Sequence, residues 1–261
     1  MDNPKFEMRY YNTYYYANII ENVLSDRFEY LNKLHEFYGD QNTEFFAAPF
    51  NKTSVFHQFI RFVVQDLFEE DFSEKNVLQL HDAFKYYNIK HTTYNKWIKE
   101  NHDAKNVEYY DYYLELHMTG QIEELIDKIS NEVFYIMFIN RELLMRFNEM
   151  MASAISRLKL TDIYEDENRQ YFFKDGVLKR VPIPEWVKRA IYYRDRGRCV
   201  LCNKDLSGML SSQNKINYDH IIPLALGGLN DITNLQLLCD KCNQKKLHHS
   251  VETSSLYEKW Y

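Results

Sequence analysis

Cysteine is absent from the first 198 residues of this 261-residue chain, and proline and glycine are scarce in the same region. All four cysteines lie between positions 199 and 242. No proline occurs between Asn51 and Val181, and the first 175 residues contain only Gly39 and Gly120. Because proline and glycine are the residues that most often interrupt helices, the N-terminal part is predicted to be mainly helical.

Long apolar segments are missing as well. No apolar run approaches the roughly 18 residues of a transmembrane helix. The N-terminal segment MDNPKFEMRYYN lacks the apolar core of a signal peptide. Cysteines without an export signal favour reduced thiols, so we expect a cytoplasmic protein with no membrane association.

Acidic residues outnumber basic residues in the chain as a whole, but not in its C-terminal part. The net charge is −6. Residues 1–175 carry 19 basic and 30 acidic side chains, for a charge of −11, whereas residues 176–261 carry 13 and 8, for +5. A basic C-terminal part attached to an acidic body is typical of a nucleic-acid-binding module carried by a domain with another task.

Apolar periodicity predicts a series of helices in the N-terminal part. The predicted helices are Tyr14–Phe37, Ser54–Glu70, Glu74–Tyr87, Thr92–Asn101, Val107–Met118 and Gln121–Leu158, the last with a break near Ile139 or Asn140.

The segment 74–101 also resembles a helix-turn-helix, with a turn at Asn88 to Lys90. Its outward residues would be Thr92, Thr93, Asn95, Lys96 and Lys99. Since the surrounding region is acidic, we favour the alternative of two consecutive bundle helices with Tyr94, Trp97 and Ile98 in the core.

A connecting segment follows the helical region. The sequence YFFK, Asp175–Gly176 and VLKR predicts a small hairpin with a tight turn. Pro182 and Pro184 end this hairpin, and Pro184 is well placed to open a helix that Gly197 would close. These signals divide the chain into a helical domain at 1–165, a hairpin linker at 166–183 and a C-terminal module at 184–261.

The four cysteines form two CxxC pairs, Cys199 with Cys202 and Cys239 with Cys242. This spacing is typical of a tetrahedral zinc site with four thiolate ligands, although two disulfides or unrelated thiols are the alternatives. A zinc with four protein ligands is closed to substrate and therefore structural. It would join two distant loops and contribute folding free energy on the order of 10 kcal/mol.

The sequence around these cysteines resembles the HNH endonucleases, the zinc-bearing branch of the ββα-metal (His-Me finger) nucleases. The resemblance covers about the last 80 residues, from IPEWVKRAIYYRDRGRC through DHIIPLALGG and NLQLLC to CNQKK. The third letter of the motif, often histidine in the family, is Asn243 here, a variant that the family also uses. The resemblance implies an α+β fold, with a ββα-metal module following the helical domain. It further implies an endonuclease whose products carry a 5′-phosphate and a 3′-hydroxyl.

Elementary chemistry assigns roles to the polar residues of this stretch. Asp219 and His220 can serve one site only where their strand ends, and Pro223 supplies such an end. A short helix predicted to begin at about Asp240 places Asn243 in its first turn. Asp219 and Asn243 offer oxygen ligands, which favour Mg²⁺ or Mn²⁺. His220 is a candidate general base for an attacking water.

Further residues complete the predicted site. By resemblance, Asn234 would hold the histidine or its loop rather than touch the metal. Lys246 shares a helical face with Asn243 and is predicted to contact phosphate. Lys245, Arg196 and Arg198 are further candidates for nucleic-acid binding. If Asn243 were not a ligand, His248 or His249 would have to replace it.

The reading that the sequence favours is therefore a metal-dependent endonuclease acting on nucleic acid, most directly DNA. The rival reading is a non-catalytic zinc module that binds nucleic acid or protein. The helical domain is a candidate for binding a protein partner or a second copy of the chain, as in restriction or phage-defence systems.

Overall fold

Helices make up most of the described chain, as the scarcity of proline and glycine predicts. The computed structural model describes residues 7–39, 43–69, 74–100, 109–163, 166–208, 215–247 and 250–257. The α-helices are α1 Thr13–Ser25, α2 Leu31–Tyr38, α3 Val55–Glu69, α4 Glu74–Tyr86, α5 Tyr94–Glu100, α6 Tyr109–Met118, α7 Gln121–Met137, α8 Arg141–Ile155, α9 Asp166–Arg169, α10 Glu185–Arg194 and α11 Asp240–Lys246. None of the helices in this part of the chain combines the length and apolar character that a membrane crossing requires.

Two segments predicted as long helices are each divided by a short turn. The break expected near Ile139 or Asn140 is confirmed, since α7 and α8 are separated there. The side chain of Asn140 accepts a hydrogen bond from Leu143 N at 3.1 Å and caps α8. The segment Tyr14–Phe37, predicted as one helix, forms α1 and α2 with a turn over residues 26–30. Short polar side chains such as Asp26 favour such interruptions because they compete for backbone hydrogen bonds.

The helix-turn-helix candidate contains α4 and α5, and the predicted end of its second helix at Asn101 lies outside the described residues. No residue of α5 is fully buried. The Tyr94 ring packs against the rings of Tyr109 and Tyr112, with centroids 4.7 and 5.4 Å apart. DNA recognition by this segment stays a prediction.

The predicted hairpin is confirmed. Strands β1 Phe172–Lys174 and β2 Val177–Leu178 are antiparallel and joined by Asp175 and Gly176. Gly176 has φ +62°, and a Cβ atom added there would lie 2.5 Å from the carbonyl oxygen of Ser156. Glycine is therefore required both by the turn and by the close approach of the chain that follows α8.

A second sheet and the helix after it give a β-β-α order near the C-terminus. Strand β3 Ile216–His220 pairs with β4 Leu235–Cys239 in antiparallel register, with Asp219 opposite Gln236 and His220 opposite Leu235. All five residues of β4 are buried. Helix α11 starts directly after β4 at Asp240, as predicted.

Contacts divide the chain into two compact units, the first of which comprises Met1–Ile20 and His57–Ile136. Its described core includes Glu132, a fully buried carboxylate on α7. Glu132 accepts hydrogen bonds from the backbone N–H groups of Arg9 and Tyr10 and from the hydroxyls of Thr13 and Tyr87, at 2.6–3.0 Å. These hydrogen bonds offset the free-energy cost of burying the Glu132 carboxylate. They also hold the start of α1 against α7 and against the end of α4.

The second unit comprises Glu21–Phe56 and Met137–Tyr261. Within it, Ala152 and Met145 of α8 pack against Ile221 and Ile222, the residues that follow β3. Helix α8 also reaches the loop before β4, where Asn148 Nδ2 donates to a threonine hydroxyl at 3.2 Å.

The loop before β4 is also held by the first residue of α3 and by the segment that precedes this helix. Phe50 N donates to the carbonyl oxygen of Asn230 at 2.8 Å, and Val55 N donates to the carboxylate of Asp231 at 3.0 Å. A buried loop needs hydrogen-bond partners, and this loop finds them in an early segment that has no sequence signature. The sequence-based division of the chain at 165 and 183 stays a prediction.

Candidate active site

The four cysteine sulfurs lie together, as the two CxxC pairs predict. The Sγ atoms of Cys199, Cys202, Cys239 and Cys242 are all within 4.8 Å of one another. The Cys202 and Cys239 sulfurs are 3.7 Å apart. Tetrahedral zinc with Zn–S bonds of about 2.3 Å requires sulfurs about 3.8 Å apart, whereas a disulfide requires about 2.05 Å. The cluster therefore fits a tetrahedral metal ion such as zinc.

The cysteine cluster connects two chain segments. Cys199 and Cys202 follow α10, whereas Cys239 ends β4 and is also the N-cap residue of α11. Val200 N donates to Leu237 O at 3.0 Å, so the loop that carries Cys199 and Cys202 is also hydrogen-bonded to β4. A metal held by all four sulfurs would fix the start of α11 relative to β4.

A wide cleft of about 1000 Å³ lies beside β3 and α11. Asp219, His220 and Asn243 all line this cleft, although they come from two different elements. Lys179 and Arg180, from the segment after β2, line it too. The cleft thus combines oxygen atoms able to bind a cation, an imidazole and positively charged side chains.

Asp219 is oriented by two donors that approach the same carboxylate oxygen. Gln236 Nε2 donates to Oδ2 at 3.1 Å, and Lys246 Nζ lies 2.9 Å from Oδ2. The Asp219 side chain is 15% exposed. The carboxylate is therefore held by its Oδ2 atom while the residue lines the cleft.

Lys246 does not occupy the position that the sequence predicted. Its side chain is fully buried, and Nζ also donates to the carbonyl oxygen of His220 at 2.7 Å. A buried ammonium group requires a counter-charge and acceptors, which Asp219 and this carbonyl supply. Instead of facing phosphate, Lys246 ties α11, which carries Asn243 one turn earlier, to the end of β3.

His220 is the last residue of β3 and is only 4% exposed. Its Nε2 atom lies 3.3 Å from Asn230 Oδ1, and its Nδ1 atom has no hydrogen-bond partner among the described residues. Burial, assisted by the positive charges of Arg180 and Lys246, lowers the pKa of His220 to about 4. The imidazole is therefore neutral at pH 7 and able to accept a proton.

Asn234 is completely buried and bonds only backbone groups. Its Oδ1 atom accepts from Ile222 N at 2.8 Å, and its Nδ2 atom donates to the carbonyl oxygens of Ile222 and Leu229 at 2.9 Å each. These bonds close the loop between β3 and β4. The geometry places Asn234 behind the loop rather than in the cleft.

The other predicted nucleic-acid contacts lie away from this cleft. Arg196 is exposed, and Arg198 is half-buried with Nη1 donating to Asn203 O at 3.1 Å. Both line a separate small pocket beside Tyr257. Lys245 is exposed on α11 but is not among the cleft residues.

Sequence reasoning missed Lys179 and Arg180 as cleft residues. The sequence-based division assigns both residues to the linker. Two adjacent basic residues directly after a predicted hairpin are nevertheless a signal for a nucleic-acid contact. Gln236 and Asn230 were missed as well, because an amide inside a buried segment carries no pattern that identifies its partner.

Comparison with known families agrees with the geometry of the second unit. A comparison with curated proteins and one with solved structures each found no match. Residues 199–255 match the family model described as HNH endonuclease. The match covers both cysteine pairs, β3, β4 and α11. This match confirms, for residues 199–255, the resemblance to the HNH endonucleases that the sequence shows.

Proposed function

We propose that this protein is a metal-dependent endonuclease that hydrolyses phosphodiester bonds of nucleic acid, with DNA as the preferred substrate. The observation that carries the proposal is the meeting of Asp219, His220 and Asn243 in one cleft, within a segment that matches the HNH family. Arg180 and Lys179 add the positive charge that a polyanionic backbone needs.

His220 is the general base in this proposal. It takes one proton from a water molecule, and the water oxygen uses its freed electron pair to form a bond to phosphorus. The bond from phosphorus to the leaving sugar oxygen breaks, and that oxygen receives a proton from solvent. The low pKa of the buried ring keeps it unprotonated at pH 7, so that its lone pair is not already occupied by a proton.

Asp219 and Asn243 are the proposed ligands of a catalytic Mg²⁺ or Mn²⁺ ion. Carboxylate and amide oxygens are the donors that such hard cations prefer. A divalent cation bound there would neutralise charge on the phosphoryl group. Gln236 and Lys246 would keep the Asp219 carboxylate in place, since both hold its Oδ2 atom. Asn234 and a structural zinc on the four cysteines would hold the surrounding loops.

The rival function is a zinc module that binds nucleic acid or protein without cleaving it. The four-cysteine cluster favours this reading as much as it favours an enzyme, because a closed zinc site is structural in both. Cleavage separates the two, since only the enzyme requires intact cleft residues. A role in restriction or phage defence stays a prediction.

The metal-ligand assignment predicts a graded series of variants. Asp219→Ala and Asn243→Ala should each lower Mg²⁺-dependent plasmid cleavage by about 10²-fold or more, because each removes one oxygen ligand. Asn243→Asp keeps an oxygen and should retain part of the metal binding. Cleavage measured against Mg²⁺ and Mn²⁺ concentration, with Mn²⁺ binding measured separately, gives the result.

A control variant and a contradicting result can both be named for the metal-ligand variants. Lys245→Ala changes an exposed residue of the same helix outside the cleft and should leave the metal dependence unchanged. If Asn243→Ala uses Mg²⁺ as well as the wild type does, Asn243 is not a ligand. His248 and His249, which lie outside the described residues, would then be examined by substitution.

Positive charge in the cleft predicts a second result. Arg180→Glu should weaken binding of duplex DNA by about tenfold or more and reduce its salt dependence, because a phosphate contact is lost and a repulsive charge is added. Arg196→Glu makes the same charge change outside the cleft and should have a much smaller effect. Equal weakening by both variants would mean that overall charge, rather than the cleft, governs binding. The measurement is fluorescence anisotropy of labelled DNA at several salt concentrations.

A further inference from the structure

Asn230 lies between His220 and the basic segment after β2. Its Nδ2 atom donates to the carbonyl oxygen of Lys179 at 2.8 Å, and its Oδ1 atom lies 3.3 Å from His220 Nε2. The residue is 4% exposed, and its own carbonyl oxygen accepts from Phe50 N at 2.8 Å. Both the backbone and the side chain of Asn230 are therefore fixed by partners from distant parts of the sequence.

The orientation of the Asn230 amide follows from the chemistry of its partners. The Lys179 carbonyl oxygen can only accept a hydrogen bond, so the NH₂ group of Asn230 must face it. The amide oxygen of Asn230 then faces His220, and this oxygen can only accept. If the amide were reversed, two acceptors would face each other at Lys179, and a buried bond would be lost.

This orientation decides which nitrogen of His220 carries hydrogen. Only a protonated Nε2 atom can donate to the Asn230 amide oxygen, so the neutral ring has its hydrogen on Nε2 and its lone pair on Nδ1. Nδ1 is buried and has no hydrogen-bond partner among the described residues. Nδ1 is therefore the ring nitrogen whose lone pair no described protein group uses.

We propose that Asn230 is a positioning residue that holds His220 in the Nε2–H tautomer and thereby makes Nδ1 the atom that takes the proton from water. The proton-transfer part rests on the proposed nuclease function, whereas the tautomer does not. Through Asn230, the segment that carries Lys179 and Arg180 is also fixed relative to the base. The Asn230 amide thus connects the segment that carries Lys179 and Arg180 to the His220 imidazole.

The tautomer is measurable without any cleavage. Long-range ¹H–¹⁵N spectra of the full-length, zinc-loaded protein with ¹⁵N-labelled histidine distinguish Nδ1–H from Nε2–H rings. The His220 signal is the one that disappears in His220→Ala. We expect the wild type to show Nε2–H at neutral pH. Observation of Nδ1–H in the wild type would overturn the proposal, whatever the variants do.

Substitution of Asn230 tests whether this residue sets the tautomer of His220. Asn230→Ala removes the acceptor and should give a mixture of tautomers. Asn217→Ala is the matched control, because Asn217 lines the same cleft but donates to Asp240 at 2.8 Å and not to His220. A pure Nε2–H ring in Asn230→Ala would mean that another group sets the tautomer.

Kinetics link the tautomer to catalysis. Asn230→Ala should lower kcat by about tenfold or more while KM stays within about twofold, because the base is misprotonated but the cleft is intact. Retained zinc and an unchanged thermal melt would show that folding is not the cause. If the wild type has the Nε2–H ring but cleaves nothing, the nuclease proposal fails and the assignment of Asn230 stands. If the tautomer changes and kcat does not, Nδ1 is not the base.

Discussion

His220→Ala should lower the rate of metal-dependent phosphodiester cleavage by roughly 10² to 10⁴-fold, which is the contribution of a positioned general base. Zinc content and DNA binding should remain those of the wild type. The cysteine cluster is built from other residues, and the ring of His220 supplies neither a thiolate nor a charge to the cleft. The variant therefore separates chemistry from folding and from substrate binding.

The measurement is nicking and linearisation of supercoiled plasmid with Mg²⁺ or Mn²⁺, together with elemental analysis for zinc. His57→Phe is a matched control. His57 is a half-buried histidine whose pKa desolvation lowers to about 4, and its ring stacks on Phe134 with centroids 3.5 Å apart, outside the cleft. It should cleave at the wild-type rate. Equal cleavage by wild type and His220→Ala would assign the activity to another site or to a contaminant.

Cys202→Ser should release the structural metal and unfold the region around β4 and α11. Binding of zinc to four thiolates contributes on the order of 10 kcal/mol, which is comparable with the whole stability of an ordinary domain. Cys202 is exposed, so its substitution creates no cavity in the core. Any loss of stability in this variant therefore reports on the metal and not on packing.

Cys239→Ser should also release the metal and unfold this region. It should lower the stability further, because Cys239 is buried at the junction of β4 and α11. Zinc content, thermal melting and plasmid cleavage give the comparison, and chelation of the wild type should reproduce the variants. Helical circular dichroism should be largely retained, because most helices lie outside the affected region. A Cys202→Ser protein with one zinc per chain and an unchanged melt would contradict a four-thiolate site.

Local signals in the sequence were sufficient for the features that depend on neighbouring residues. The spacing of two CxxC pairs predicts the sulfur cluster, and the unusual length of the predicted helix Gln121–Leu158 predicts the break near Ile139 or Asn140. Asp175 and Gly176 predict the turn of the hairpin because glycine tolerates the positive φ that the turn requires. Each of these features is decided within a few residues, where propensity and stereochemistry act directly.

Lys246 shows where such reasoning fails. Helical spacing placed it correctly on the face of Asn243, but a lysine there is normally solvated, and nothing nearby indicated burial. Its position is decided by Asp219 and by the carbonyl oxygen of His220, which lie 27 and 26 residues away in sequence. The sequence identified the face of the helix, whereas the charge partner came from the packing of α11 against β3.

The loop before β4 was unpredictable for a related reason. Val55 N and the Asp231 carboxylate are separated by 176 residues. A backbone N–H is the same at every non-proline position, so no letter of the sequence marks Val55 as the partner. Hydrogen bonds of this kind follow from the tertiary fold and do not direct its local elements.

The packing of α8 against Ile221 and Ile222 has a consequence for biosynthesis. Ala152 on α8 is translated 69 residues before Ile221. At about 5–20 residues per second, this separation corresponds to roughly 3–14 s. During that interval Ala152 and Met145 lack the contacts that Ile221 and Ile222 later provide. The packing of this side of α8 is therefore completed late in translation, after the whole helical region has been synthesised.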